Sequence, residues 1–148
     1  MIIIGGIMNS EFKIILGVVG SDVHCVANQL LEAEFSLQGY SVLNLGVALA
    51  EEEVLQNING DGNEIILLGT INGDIEPTIS VIKAIRTKFN NLIPVIVGGN
   101  VVLGAVGKDR TLDLIEAGAT MIISNSSSIS EVVLRVQKFI KQTNSIKA

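Results

Sequence analysis

The only histidine and the only cysteine of this 148-residue chain fall within nine residues, Gly20 to Asn28, reading GSDVHCVAN, with Asp22 two places ahead of His24. A single imidazole cannot hold zinc by itself, since structural sites want four protein ligands and catalytic sites about three. It can be the axial ligand of a metal that brings its own equatorial ring. A carboxylate two residues away would then accept a hydrogen bond from the other ring nitrogen, fixing the tautomer and raising the basicity of the ligand. The plainer alternative is that Asp22 caps the helix that follows and His24 is an exposed loop residue. Cys25 adjoins His24, but sequence neighbours on a helix do not face one another, so no Cys–His nucleophile pair is expected.

These residues must be positioned by the elements around them. Five apolar runs recur every 25 to 30 residues or so: 12–19, 40–47, 64–70, 93–99 and 119–125. Each is short and rich in β-branched residues, as buried strands are. Between them, helical spacing predicts helices over 22–38, 50–58, 76–89, 108–117 and 128–140, with Gly39 and Gly118 as stops and Pro77 in a first turn. Five βα units predict an α/β fold, a doubly wound, flavodoxin-like five-stranded parallel sheet of strand order 2-1-3-4-5. A short leader (1–11), one domain (12–142) and a C-terminal tail (143–148) are expected. Ligands of such sheets bind beyond the carboxyl ends of the strands. The loops there carry Gly20, Gly46, Gly69, Gly73, Gly98, Gly99 and Gly104, which suits either tight turns or close approach to a bulky ligand.

Other chemistries are excluded by what is missing. No GxGxxG follows the first strand and there is no GxxxxGK[ST]. The third strand ends Gly69-Thr70-Ile71 where a phosphoreceiver domain would place an aspartate. Net charge is −5 with no basic block, so nucleic acid is not expected as a partner. No run approaches the roughly 18 apolar residues of a membrane span, and nothing reads as a signal peptide. A lone cysteine forms no internal disulfide. The chain is therefore expected to be cytoplasmic. Aromatic residues make up 3 % against 48 % hydrophobic, so the core must be aliphatic. Asp74 and Glu76 are expected to cap the third helix, and the serine run 124–128 to cap the last.

Taken together, three stretches resemble the cobalamin-binding domain shared by adenosylcobalamin-dependent mutases and corrinoid methyltransferases. The likeness is strongest to the stand-alone small subunits of glutamate mutases and runs from about Phe12 to Ile140. That family's pattern is D-x-H-x-x-G after strand 1, S-x-L after strand 3 and G-G after strand 4. This chain has Asp22, His24 and Ala27 for the first, Gly69, Thr70 and Ile71 for the second, and Gly98 with Gly99 for the third. The strand 2 end, Asn44 to Val47, also matches.

The resemblance implies that His24 binds cobalt from below, displacing the cofactor's dimethylbenzimidazole, and that Asp22 orients His24. The displaced nucleotide tail would run between the sheet and the first helix. Its surroundings would be Ser21, Val23, Cys25, Ala27, Gly69, Thr70, Ile71, Gly73, Gly98, Gly99, Asn100 and Ser124, with Ser126 nearby. The cofactor would be adenosylcobalamin, supplying radical chemistry for a carbon-skeleton rearrangement. The partner would be a large barrel subunit that carries the substrate, in a heterotetramer. Two departures bear on affinity. Ala27 adds a methyl group where the family has glycine, and Gly69 removes a hydroxyl expected to reach the benzimidazole. Thr70 should point to the opposite face of its strand and so not replace it. At 1.4 kcal/mol per tenfold, the two changes would weaken binding by about ten- to a thousandfold, or suit a different lower base. The same features leave open a corrinoid carrier or regulator without mutase activity, and a family member that no longer binds the cofactor.

Overall fold

The structure, a computed structural model, describes residues 3–4, 7–8, 12–20, 25–70, 74–90, 92–99, 102–103, 108–124 and 127–147. Five strands, β1 (Lys13–Val18), β2 (Ser41–Asn44), β3 (Glu64–Thr70), β4 (Val95–Gly99) and β5 (Met121–Ser124), form one sheet. All pairings are parallel and the order is β2-β1-β3-β4-β5, the flavodoxin-like arrangement that the spacing predicts. Five helices alternate with the strands: α1 (Val26–Leu37), α2 (Glu51–Leu55), α3 (Glu76–Phe89), α4 (Thr111–Ala117) and α5 (Ile129–Lys147).

The sheet separates two apolar layers. Ile15, Ile66, Leu68, Val95 and Val97 pack with Val54 of α2, Ile79, Ile82 and Ile85 of α3, and Leu114 of α4. Ile14, Leu16, Ile65, Leu67, Ile96 and Ile123 pack with Phe35 of α1 and Val133, Val136 and Ile140 of α5. Alternate residues of every strand enter opposite layers, as the pleat requires. Both faces are thus covered, which explains the near-continuous apolar strands.

Several helix ends differ from the periodicity. Helix α4 begins at Thr111 rather than Lys108. Lys108 and Asp109 instead pair antiparallel with Val102–Leu103. The Asp109 carboxylate accepts the Thr111 amide at 2.8 Å and hydroxyl at 2.6 Å, which holds its pKa below the ordinary value. Helix α2 ends at Leu55, short of Ile58. Helix α5 runs on through residues 143–147, where a tail was expected, because no Gly or Pro follows Ile129 to stop it. At its start Ser128 Oγ accepts the Glu131 amide and donates to the Glu131 carboxylate, each at 3.2 Å. The leader contributes a small antiparallel pair, Ile3–Ile4 with Ile7–Met8.

Candidate cofactor-binding site

At the carboxyl edge one row of residues crosses four strands. Val18 lies beside Gly69, Gly69 beside Gly98, and Gly98 beside Ile123. Leu67 and Ile96, each two residues earlier, belong to the layer under α1 and α5, so this row faces the same way. It reads branched, bare, bare, branched. Among the described residues, a Cβ on Gly98 would meet nothing closer than the Ile123 carbonyl oxygen at 4.0 Å. A Cβ on Gly69 would lie 3.3 Å from Val18 Cγ2 and 3.9 Å from Asn28 Oδ1. Among the described residues, two adjacent glycines therefore leave a trough of bare, half-buried backbone on the sheet between Val18 and Ile123.

Asn28 reaches this trough from α1 and is 5 % exposed. Its Nδ2 donates to Asn44 Oδ1 and to the Gly46 carbonyl, each at 3.4 Å, while the Gly46 amide donates to Asn44 Oδ1 at 2.9 Å. Sequence reasoning missed Asn28 and the role of Asn44. The signal was there: Asn28, Leu31 and Phe35 share one helical stripe, and the latter two enter the core. A polar residue in a buried stripe asks for partners.

Gly99 is demanded by its own backbone. Its φ is +112°, and a Cβ there would lie 1.9 Å from the Thr70 carbonyl oxygen on the neighbouring strand. Of the two glycines expected to make room, Gly98 opens the trough and Gly99 lets β3 and β4 close up. Thr70 is 2 % exposed, and its Oγ1 has no hydrogen-bond partner among the described residues. Leu68 places this side of β3 in the α2–α4 layer, so Thr70 does not stand in for a hydroxyl at Gly69.

Of the remaining sequence-predicted residues, Ser21, Asp22, Val23, His24, Ile71, Gly73 and Asn100 lie outside the described residues, as does Ser126. The backbone of Ser124 pairs with Gly99. Cys25 takes the cap position of α1 without a side-chain cap bond. Ala27 follows in the first turn, half-buried. At the start of α3 the cap position is Ile75 rather than Asp74 or Glu76, and the Asp74 carboxylate, one residue earlier, accepts the Glu76 amide at 3.4 Å. Glu76 turns instead to Arg110 at 2.7 Å, and Arg110 also pairs with Asp113. A cleft lined by Phe12, Leu92, Pro94, Phe139 and Thr143 lies at the opposite, amino edge of the sheet, away from these residues.

No protein-family model matches the chain. Among curated proteins it is 32 % identical to the glutamate mutase sigma subunit of Treponema denticola over 107 residues, 70 % of this chain and 75 % of that one. It is 35 % identical to the glutamate mutase sigma subunit of Clostridium cochlearium over 95 residues, 62 % of this chain and 67 % of that one. Among solved structures it resembles a cobalamin-binding protein from Desulfitobacterium hafniense, with TM-score 0.68 and 19 % identity over 86 % of this chain. The chain spans 58 % of that structure's length. A LuxR-family response regulator from Aurantimonas has TM-score 0.63 and 18 % identity over 88 % of this chain and 85 % of its own. These structural likenesses show a fold that different functions share, whereas the sequence likeness separates them: the chain belongs to the glutamate mutase sigma subunit family.

Proposed function

We propose that this chain is the cobalamin-binding small subunit of an adenosylcobalamin-dependent carbon-skeleton mutase, the glutamate mutase that converts L-glutamate to threo-3-methylaspartate. The observation that carries this reading is the trough at Gly69 and Gly98, at the strand ends where such sheets take ligands. Bare backbone between a sheet and its first helix fits a flat nucleotide base. The cofactor supplies radical chemistry through its cobalt–carbon bond; the chain supplies binding and orientation.

His24 is the proposed lower ligand of cobalt, and Asp22 the acceptor that sets its tautomer. Ser21, Val23, Cys25 and Ala27 lead into α1 around it. Gly69, Thr70, Ile71, Gly73, Gly98, Gly99, Asn100 and Ser124 border the tail. Substrate binding falls to a large barrel subunit in a heterotetramer, and neither polypeptide alone turns over. The binding unit is 12–142, in the cytoplasm. No helix among the described residues is long and apolar enough to cross a membrane.

The test is a visible-absorbance titration of the purified chain with adenosylcobalamin, alongside His24→Ala. The expected result is saturable binding with the spectrum of a nitrogen-ligated cobalamin, turning to the base-off spectrum and weakened by tenfold or more in the variant, about the worth of one strong ligand contact. Absence of binding at millimolar cofactor would overturn the proposal. Equal binding by the variant would remove His24 as ligand and leave a corrinoid carrier.

A further inference from the structure

We infer that the outer face of α1 and α5 pairs with the same face of a second copy of this chain, α1 of each copy lying on α5 of the other. The inference goes beyond the proposed function and does not depend on cofactor binding.

A helix packed on a sheet buries one stripe and ordinarily turns a polar one outward. Helix α1 buries Asn28 and Phe35, yet its opposite side is apolar. Val26, Leu30 and Leu37 are 65 %, 51 % and 75 % exposed, and Ala33, also exposed, falls on the same stripe. Successive gaps of four, three and four residues are the spacing of a helix–helix seam. Helix α5 adds Leu134, 63 % exposed on the side away from the buried Val136.

The two helices lie over one face of the sheet, and both run from its carboxyl edge towards its amino edge. Gln137 Nε2 donates to Gln38 Oε1 at 3.4 Å, which fixes their relative level. Three residues back along each helix, Leu134 stands level with Phe35, between Ala33 and Leu37. A two-fold axis running along the helices, midway between them, keeps these levels. It sets Leu134 of one copy over the gap at Ala33 of the other, a large side chain against a small one.

Charge favours the same pairing. Helix α1 carries Glu32 and Glu34 and no basic residue. Helix α5 carries Arg135, Lys138, Lys141 and Lys147 against Glu131 alone. By helical spacing Glu32 and Arg135 fall on the outer flanks, so the two-fold axis brings Glu32 of each copy beside Arg135 of the other. Laying α1 on α1 and α5 on α5 would instead face acid with acid and base with base. The face is thus self-complementary, as a two-fold interface requires. A 12-residue helix is about 18 Å long, so the paired faces bury on the order of 1,000 Å² in all, the size of a weak, reversible dimer.

The experiment is sedimentation equilibrium of the full chain from micromolar to millimolar concentration, without cofactor. A monomer–dimer equilibrium is expected, weakened about tenfold or more by Leu134→Asp and by Leu37→Asp. Both residues are exposed, so thermal unfolding at micromolar concentration should match the parent and show that the variants fold. Glu32→Arg and Arg135→Glu should each weaken the dimer about tenfold, and the two together should restore it to within about threefold. A chain that stays monomeric at millimolar concentration would overturn the inference and leave this face to the large subunit. A dimer indifferent to Leu134→Asp, or charge reversals whose effects add rather than cancel, would also overturn it. None of these results bears on the cofactor titration, which tests the proposed function separately.

Discussion

Gly98 and Gly99 are neighbours with opposite tasks, and substitution separates them. A Cβ on Gly98 makes only ordinary contact, so Gly98→Ala should fold with a melting temperature close to the parent. Gly98→Val should also fold, yet fill the trough and weaken cobalamin binding by about tenfold or more. Gly99→Ala should cost about 3 kcal/mol or more, since both the positive φ and the Thr70 carbonyl oppose any side chain. Thermal unfolding and cofactor titration of the three variants check this; a stable Gly99→Ala or a tight-binding Gly98→Val would contradict the assignment. Both glycines were visible in the sequence as a G-G motif. Their division of labour was not, because it depends on which face of β4 each one occupies and on how closely β3 approaches.

Tyr40 gives a pH signature at the same scale. Burial at the α1–β2 junction raises its pKa above 10.0, opposed by a hydrogen bond with Gln137, while its ring meets Phe35 edge-on at 5.9 Å. A folded-state pKa above the unfolded one means that the folded chain holds its proton longer. The contribution is complete below pH 10 and is lost as pH rises through the folded value. The denaturation midpoint should fall as pH rises above 10, and fall less in Tyr40→Phe; parallel losses in both proteins would assign the effect elsewhere.

Among the elements, α3 is fastened by Arg86. Its guanidinium donates to the Gly118 carbonyl at 2.7 and 3.0 Å, to the Ile93 carbonyl at 2.7 Å and to the Asn90 carbonyl at 3.0 Å. One side chain thus ties the end of α3 to the start of β4 and to the turn after α4. Partial burial lowers its pKa from the ordinary value, though the guanidinium stays charged at neutral pH. Arg86→Met should cost about 2–3 kcal/mol in urea denaturation, because several carbonyls lose a charged donor at once. A loss below about 0.5 kcal/mol, the level of an ordinary surface change, would contradict this clip.

Element types were legible because burial on both faces writes strands as short β-branched runs and helices as stripes. Strand β3 and helix α3 were predicted to the residue: 64–70 is bounded by Asn-Glu and a glycine loop, and Pro77 fixes the first turn of α3. The ends of α4 and α5 were less legible. The start of α4 is set by the Asp109–Thr111 bonds and by pairing with Val102–Leu103, neither of which has a period. The end of α5 lacks any Gly or Pro to mark it.

At the scale of the whole molecule, the sheet order and the two layers follow from five βα units with right-handed crossovers. The site follows less directly. The motif residues Asp22, His24, Gly69 and Gly98 could be located from sequence by resemblance, but not Asn28, whose bonding to Asn44 and Gly46 joins α1 to the end of β2. Such a constellation spans three segments distant in sequence and is seen only once they are assembled. The fold alone would not have named a function, since response regulators share it.

In the proposed function His24 replaces the nucleotide base on cobalt. Because the chain has one histidine, labelling histidine with nitrogen-15 labels one candidate ligand. The measurement is electron paramagnetic resonance of the cobalt(II) cobalamin complex, prepared with natural-abundance and with nitrogen-15 histidine. The account predicts that the three-line nitrogen-14 splitting becomes a two-line nitrogen-15 splitting on labelling, and that it disappears in His24→Ala. An unchanged three-line pattern in the labelled protein would show the base still on cobalt and contradict the account.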